Sequence, residues 1–140
     1  MSQPLRLGIA GLGTVGMGVL HILRQHGDLL KQRTGRDIVL SAVSARSRNK
    51  DRGVSLSGYG WEDDPVALAQ REDIDVFVEL MGGSEGPAKD ATEAALRAGK
   101  QVVTANKALL AIHGQALAEL AEAQGMAIRY EAAVAGGIPV

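Results

Sequence analysis

The chain has 140 residues, the size of one domain with a single buried core and too short for a two-domain enzyme. Fifteen Lys and Arg against sixteen Asp and Glu leave a formal net charge of -1, which removes the electrostatic case for nucleic acid or an anionic membrane surface and leaves a small molecule as the expected partner. The absence of cysteine excludes disulfides, thiolate metal sites and a Cys nucleophile and suits a reducing, cytoplasmic setting; Met1 to Pro4 carries no cationic leader, and no apolar run approaches the ~20 residues of a membrane span.

Leu5 to Ala10 is a short apolar run ended by glycine and reads as a first strand. Helical spacing follows, with Val15, Val19, Ile22 and Leu23 on one face and Gly27 as a stop for that helix or its first part. Asp28 to Asp37 is polar and ambiguous. Ile38 to Ser44 is rich in β-branched and small apolar residues and reads as a second strand, whereas Ala45 to Gly60 reads mostly as loop. A short helix is expected near Asp64 and Pro65. Ile74 to Leu80 is the third strand, ended by Gly82 and Gly83. Pro87 then opens a helix whose stripe of Ala88, Ala91, Ala95 and Ala98 allows close packing on a sheet, with Gly99 as its stop. Gln101 to Thr104 is a fourth strand, Leu109 to Gln124 a helical pattern with Leu110, Leu117 and Leu120, and Met126 to Glu131 a fifth strand.

Strand and helix alternate throughout, which predicts an α/β fold: a doubly wound, mainly parallel sheet with right-handed crossovers and helices on both faces. Ligands then bind beyond the carboxyl ends of the strands. The turn between the first strand and the first helix, Gly11-Leu12-Gly13-Thr14-Val15-Gly16, is G-x-G-x-x-G, the phosphate-binding turn of a Rossmann domain. Gly11 permits the tight turn, Gly13 lets a pyrophosphate approach the backbone, and Gly16 lets helix and strand pack closely. The helix N-terminus supplies unpaired N–H groups and partial positive charge to the phosphates. A tight turn without ligand is the plainer alternative, but strand before and helix after favour a dinucleotide.

An NAD site usually carries an acid at the end of the second strand to bind the ribose 2′-hydroxyl. Here that strand ends in Ser44-Ala45-Arg46, followed by Arg48, Lys50 and Arg52. A guanidinium holds a 2′-phosphate through paired charge-assisted hydrogen bonds, so the reading is NADP over NAD, with Ala45 and Arg46 at the contact. A solvated basic loop, with Asp51 on the ribose, is the alternative. Thr104-Ala105-Asn106-Lys107 closes the fourth strand at the ligand edge. If a helix starts there, Lys107 puts a cation near the positive end of its dipole, from which it could bind a substrate carboxylate or assist proton transfer to a carbonyl. An exposed, idle lysine is the alternative. Gly82 and Gly83 allow backbone to approach the cofactor or merely form a turn. His21, His26 and His113 lack metal-ligand spacing, and Asp63-Asp64 and Glu119, Glu122 read as helix start and solvated face.

Taken together, LGIAGLGTVG at Leu7 to Gly16, VELMGG at Val78 to Gly83, VVTANKALLA at Val102 to Ala111 and EAAVAGGIPV at Glu131 to Val140 resemble the N-terminal cofactor domain of homoserine dehydrogenases. The resemblance covers nearly the whole chain. It implies NAD(P)-dependent interconversion of L-homoserine and L-aspartate 4-semialdehyde, on the route to threonine and methionine. It further implies that the glycine turn with Thr14 and Val15 holds the pyrophosphate, that Arg46 selects NADP, and that Lys107 reaches into the active site near the nicotinamide and substrate, with Thr104 among the cofactor-binding residues. Oxygens around Glu131, Val134, Gly136 and Ile138 are implied to hold a monovalent cation such as Na+ at a hinge, a weak hard-cation site for which backbone carbonyls suffice. The family continues past the position of Val140 into a substrate and dimerisation domain. The expectation is therefore half of an enzyme that is a homo-oligomer at full length, inactive in this form. A dinucleotide sensor without chemistry, or the cofactor domain of a related dehydrogenase with another substrate, are the competing functions.

Overall fold

The computed structural model describes residues 3–48 and 50–130. Within them the elements run β1 (Leu5–Ala10), α1 (Thr14–Gln25), α2 (Gly27–Thr34), β2 (Ile38–Ser44), β3 (Gly60–Glu62), α3 (Pro65–Ala69), β4 (Val76–Glu79), α4 (Pro87–Arg97), β5 (Gln101–Thr104), α5 (Lys107–Gln124) and β6 (Ile128–Tyr130). The strands form one sheet in the order β3-β2-β1-β4-β5-β6, every pairing parallel. This is the doubly wound order, with the reversal of direction between β1 and β4.

Parallel strands covered on both faces need apolar residues at successive positions, and β4 is buried along its whole length. Alternate side chains sort into two layers. Leu7, Ile9, Leu40, Val43, Val76 and Val78 pack with Leu12 and Leu20 under α1. Ala10, Ala42, Phe77 and Val102 pack on the other face with residues of α3, α4 and α5. By the same alternation Glu79, two residues beyond Phe77, belongs to the face that carries α4 and α5. The β1–β2 ladder shifts register between Leu7 and Gly8, so that both strands end level. At the carboxyl edge Glu62, Ser44, Ala10, Glu79, Thr104 and Tyr130 stand in one row.

Several expectations need correction. The ambiguous polar stretch after Gly27 contains an exposed helix, α2, closed by Gly35 in the left-handed conformation at φ 75°. The segment read as loop to Gly60 ends in a sixth strand, β3, whose three residues lack the β-branched run that marks the others. Gly27 opens α2, since α1 already ends at Gln25. The fully buried positions of α1 are Gly16 and Leu20, with Val15, Val19, Ile22 and Leu23 only half-buried beside them. The alanine stripe of α4 ends at Ala95, because Ala98 caps the helix in an exposed position. The helix expected at Pro65 is there, with the Asp64 carboxylate accepting from the Val66 amide at its N-terminus.

The approach to β4 is fastened by charge. Arg6 donates to Asp75 through Nε and Nη2 at 3.1 and 2.9 Å, and the Arg6 amide reaches the same carboxylate at 2.9 Å. Arg71 forks onto Asp73 and also reaches Glu62, tying the α3–β4 connection to β3. Hydrogen bonds from Arg71 and from Arg6 hold the carboxyls of Asp73 and Asp75 respectively below the ordinary aspartate value, against the opposing effect of burial.

A group with a depressed native pKa contributes stability that is complete above its unfolded value, about pH 4, and is lost as pH falls through the native value. The denaturation midpoint of the chain therefore declines on acidification below about pH 4, and Asp73→Asn and Asp75→Asn each start lower at neutral pH and decline less. Urea titrations across that range test this; an unchanged acid slope in both variants contradicts the assignment.

Candidate functional site

The carboxyl edge of the sheet gathers the glycine turn, the end of β2, the Gly82–Gly83 turn and the start of α5. The glycine turn is the tightest of these. Gly11 has φ 104°, and a Cβ built on it would lie 2.6 Å from the Leu80 carbonyl oxygen. A Cβ on Gly16 would lie 1.9 Å from the Gly11 carbonyl oxygen. Gly13 is different: a Cβ there meets nothing within 4 Å, so the space over it is open. Gly13 is also the N-cap of α1, and the helix start has neither a side-chain cap nor an acid in its first turn. The first-turn amides of a helix have no intrahelical acceptor. An open backbone cradle over uncapped amides fits an anionic pyrophosphate, with Leu12 buried beneath and Thr14 exposed at its rim.

Ser44 anchors the turn to β2, its carbonyl accepting from the Gly11 amide at 2.8 Å. Ala45 and Arg46 follow, Arg46 exposed. The other two arginines of this basic loop turn toward Trp61 in β3. The guanidinium carbons of Arg48 and Arg52 stand 5.9 and 5.8 Å from the centre of the Trp61 ring, within cation–π range. Arg52 also donates to the carbonyls of Ser47 and Lys50. Asp51, the alternative ribose ligand, accepts from the Gly53 amide in a local turn. From α1, Arg24 reaches over to the Tyr59 hydroxyl at 2.8 Å and the Ser55 carbonyl at 2.9 Å. Arg46 is thus the basic side chain at the strand end itself, with Arg48 and Arg52 drawn toward Trp61.

On the other half of the sheet the central feature is Glu79, a fully buried carboxylate at the end of β4. One oxygen accepts from the Thr104 hydroxyl at 2.6 Å, the other from the amides of Met81 and Gly82 at 2.7 and 3.2 Å. Thr104 Oγ1 accepts in turn from the Asn106 amide at 2.9 Å. The Asn106 side chain caps α5 by accepting from the Leu109 amide at 2.9 Å and donates from Nδ2 to the Gly83 carbonyl. Gly82 and Gly83 have φ of 84° and 82°, both in the left-handed region. Lys107 is the first residue of α5, exposed at this edge. Beyond it, His113 and Glu85 are hydrogen-bonded, linking α5 to the loop ahead of α4.

Gly11 to Gly16, Ala45, Arg46, Gly82, Gly83, Thr104 and Lys107 therefore share one edge. Thr104 is fully buried, and its side chain meets Glu79 and Asn106. Glu131, Val134, Gly136 and Ile138 lie outside the described residues. Sequence reasoning missed Glu79 and the capping role of Asn106. Their signals were an acid inside an apolar strand just ahead of Gly-Gly, and an Asn directly before a helix. Among the described residues no group of three His, Asp or Glu could hold a metal ion, and no helix is long and apolar enough to cross a membrane.

Comparison with known proteins fits this geometry. Residues 11–131 match the family described as homoserine dehydrogenase, NAD binding domain. The homoserine dehydrogenase of Neisseria gonorrhoeae is 45% identical over 138 residues, covering 99% of this chain and 31% of that protein. The enzyme of that name from Corynebacterium glutamicum is 43% identical over 135 residues, covering 96% of this chain and 30% of its own length. The crystal structure of S. aureus homoserine dehydrogenase at pH 7.5 superposes with a TM-score of 0.85 at 36% identity, over 94% of this chain and 33% of that one. The homoserine dehydrogenase of Thiobacillus denitrificans gives a TM-score of 0.84 at 37% identity, over 93% of this chain and 30% of that one. The chain thus spans about a third of the length of the relatives it matches.

The glycines separate folding from binding. Gly16→Ala drives a methyl into the Gly11 carbonyl, and the chain loses about 3 kcal/mol, the upper end of overpacking costs. Gly13→Ala keeps the melting temperature within about 2 °C, since Gly13 has φ -76° and open space around it. It weakens binding of the dinucleotide about tenfold or more by holding the pyrophosphate off the backbone. Calorimetric melting and titration of both variants test this, and equal melting losses contradict it.

Proposed function

Because the chain belongs to the homoserine dehydrogenase NAD-binding domain family, we propose that residues 1–140 are the cofactor-binding part of an NADP-preferring enzyme that interconverts L-homoserine and L-aspartate 4-semialdehyde. The observation that carries the reading is the site's own arrangement. An open glycine cradle, an arginine at the end of β2 and a lysine opening α5 stand at one sheet edge in a member of this family. In the oxidation the carbinol carbon of homoserine gives a hydride to the nicotinamide and its hydroxyl loses a proton. Lys107 is suited to hold the substrate carboxylate or to assist that proton's transfer.

Arg46 would take the 2′-phosphate with Ala45 at the adjoining backbone, the glycine turn would take the pyrophosphate, and Gly82, Gly83 and Lys107 would border the nicotinamide, with Thr104 buried behind them. NADP rather than NAD follows from the guanidinium at a position where an NAD site needs an acid. A monovalent cation held by Glu131, Val134, Gly136 and Ile138, assembly as a homo-oligomer and a cytoplasmic setting complete the reading. Hydride transfer also needs the substrate carbon held against the nicotinamide, and such positioning supplies roughly 7 to 11 kcal/mol of barrier lowering. One exposed ammonium cannot do that alone. The threefold greater length of the relatives supports a substrate-holding part beyond these residues.

The isolated chain is expected to bind NADPH more tightly than NADH, and Arg46→Ala to erase most of the difference. Loss of charge-assisted hydrogen bonds costs roughly 1.5 to 3 kcal/mol, about ten- to a hundredfold in affinity. Equal affinities for the two cofactors in the unmutated chain, measured by titration calorimetry, overturn the NADP assignment. In the complete gene product, homoserine-dependent reduction of NADP should follow, and Lys107→Ala should keep cofactor affinity while losing turnover. Robust turnover by residues 1–140 alone, or none with homoserine in the complete protein, sinks the reading.

A further inference from the structure

Glu79 has no task in the reading above, yet it is the one fully buried acidic side chain among the described residues. Burying a carboxylate is costly unless every lone pair is used, and an apolar residue at the end of a covered strand packs at lower cost. A buried acid kept there points to a requirement other than sheet stability. Its contacts identify that requirement. The carboxylate receives the Met81 and Gly82 amides on one oxygen and the Thr104 hydroxyl on the other. Thr104 receives the Asn106 amide, and Asn106 donates to the Gly83 carbonyl. The chain of bonds closes on itself: Glu79, Thr104, Asn106, Gly83 and, through the peptide backbone, Gly82 and Met81.

This ring adds a buried tie between two loops that are also linked by the Ala105 amide to the Glu79 carbonyl and by the His113–Glu85 contact at the surface. Gly82 and Gly83 populate either sign of φ freely, so nothing in their own chemistry selects the double left-handed turn observed. The two amide bonds to Glu79 select it. The other side of the ring fixes the first turn of α5, because Asn106 is its cap and Lys107 its first residue. In a doubly wound sheet the second mononucleotide half, β4 to β6, faces the nicotinamide end of the ligand. We propose that Glu79 is a positioning residue for that end: through Thr104 and Asn106 it sets the separation of the Gly82–Gly83 turn and the start of α5, between which the nicotinamide is held. The inference rests on the reading that this edge binds a nicotinamide dinucleotide.

The test compares ligands that differ only in the nicotinamide. NADP with 2′-phospho-ADP-ribose, and NAD with ADP-ribose, are titrated calorimetrically into the 140-residue chain and its variants. In the unmodified chain the dinucleotide binds more tightly than its truncated partner. Glu79→Gln, which turns one acceptor of the ring into a donor, lowers dinucleotide affinity about tenfold and leaves the truncated ligand within about twofold. Thr104→Val, which breaks the ring without touching Glu79, reproduces the selective loss, and Thr104→Ser, which keeps the hydroxyl, does not. Should Glu79→Gln fail to fold, the Thr104 pair carries the comparison. Equal losses for both members of a ligand pair indicate a merely structural carboxylate and overturn the inference, as does an unchanged nicotinamide increment. A chain that binds none of the four ligands overturns the cofactor reading and the inference with it.

Discussion

Two missing side chains set the geometry from which everything else at the ligand edge follows. Gly16 and the Gly11 carbonyl are so close that a single methyl would overlap the oxygen, and Gly11 itself is pressed against the Leu80 carbonyl. The Gly11 amide is simultaneously bonded to Ser44 at the end of β2. One turn is thus fastened to β1, β2 and the exit of β4, at the point where the winding of the sheet reverses. Helix α1 leaves from there at backbone distance, which lets Leu12 and Leu20 close the core layer beneath it. Any added atom at these two glycines displaces the helix and, with it, the amides that face the open side of Gly13.

The two halves of the edge are organised by different physics. On the β1–β3 side the loop after Arg46 is held by half-buried Val54, Leu56 and Tyr59 against the core layer and by polar contacts at the surface: guanidinium groups near Trp61, and Arg24 reaching Tyr59 and Ser55. The polar contacts at the surface are individually weak in water. On the β4–β6 side the fastening is buried, directional and closed, from Glu79 through Thr104 and Asn106 to Gly83. A hydrogen bond in a dry setting is stronger and loses more when one partner is removed. In the proposed reading, the half assigned to the reactive end of the dinucleotide is the one fastened by buried hydrogen bonds.

Much of this was legible in the sequence because the features that carry it are local. Apolar runs at Leu5–Ala10 and Ile38–Ser44, the Pro87 helix start and Gln101–Thr104 all stand where periodicity and punctuation put them. The glycine turn announced itself by position between a strand and a helix. What escaped depends on tertiary contact. The strand Gly60–Glu62 is too short for a pattern and exists because β2 offers it a partner. Helix α2 is polar on nearly all sides, so it has no apolar stripe to read. Glu79 looked like one polar residue in an apolar strand, and its partners Thr104 and Asn106 lie more than twenty residues away, joined to it only when β4 and β5 align. The Arg46 loop could be read for charge but not for Trp61, whose ring becomes a platform only after β3 pairs with β2.

The short strand β3 has a consequence for redesign. The segment from Ala45 to Tyr59 begins at a fixed strand end and finishes at a three-residue strand on the rim of the sheet, so both of its junctions are held by backbone ladders rather than by its own side chains. Its grip on the rest of the molecule is an arginine from α1, guanidinium groups near the Trp61 ring, and Val54, Leu56 and Tyr59 half-buried against the core layer under α1. Such a segment can be exchanged for one of different charge with its ends already held at the right spacing, provided the replacement keeps apolar side chains where Val54, Leu56 and Tyr59 meet the core. Among the described residues neither the glycine turn nor the Glu79 ring makes a side-chain hydrogen bond to it, so the transplant leaves both in place. If this segment meets the ribose end as proposed, recognition there can diversify without altering the geometry of the glycine turn or of the Glu79 ring.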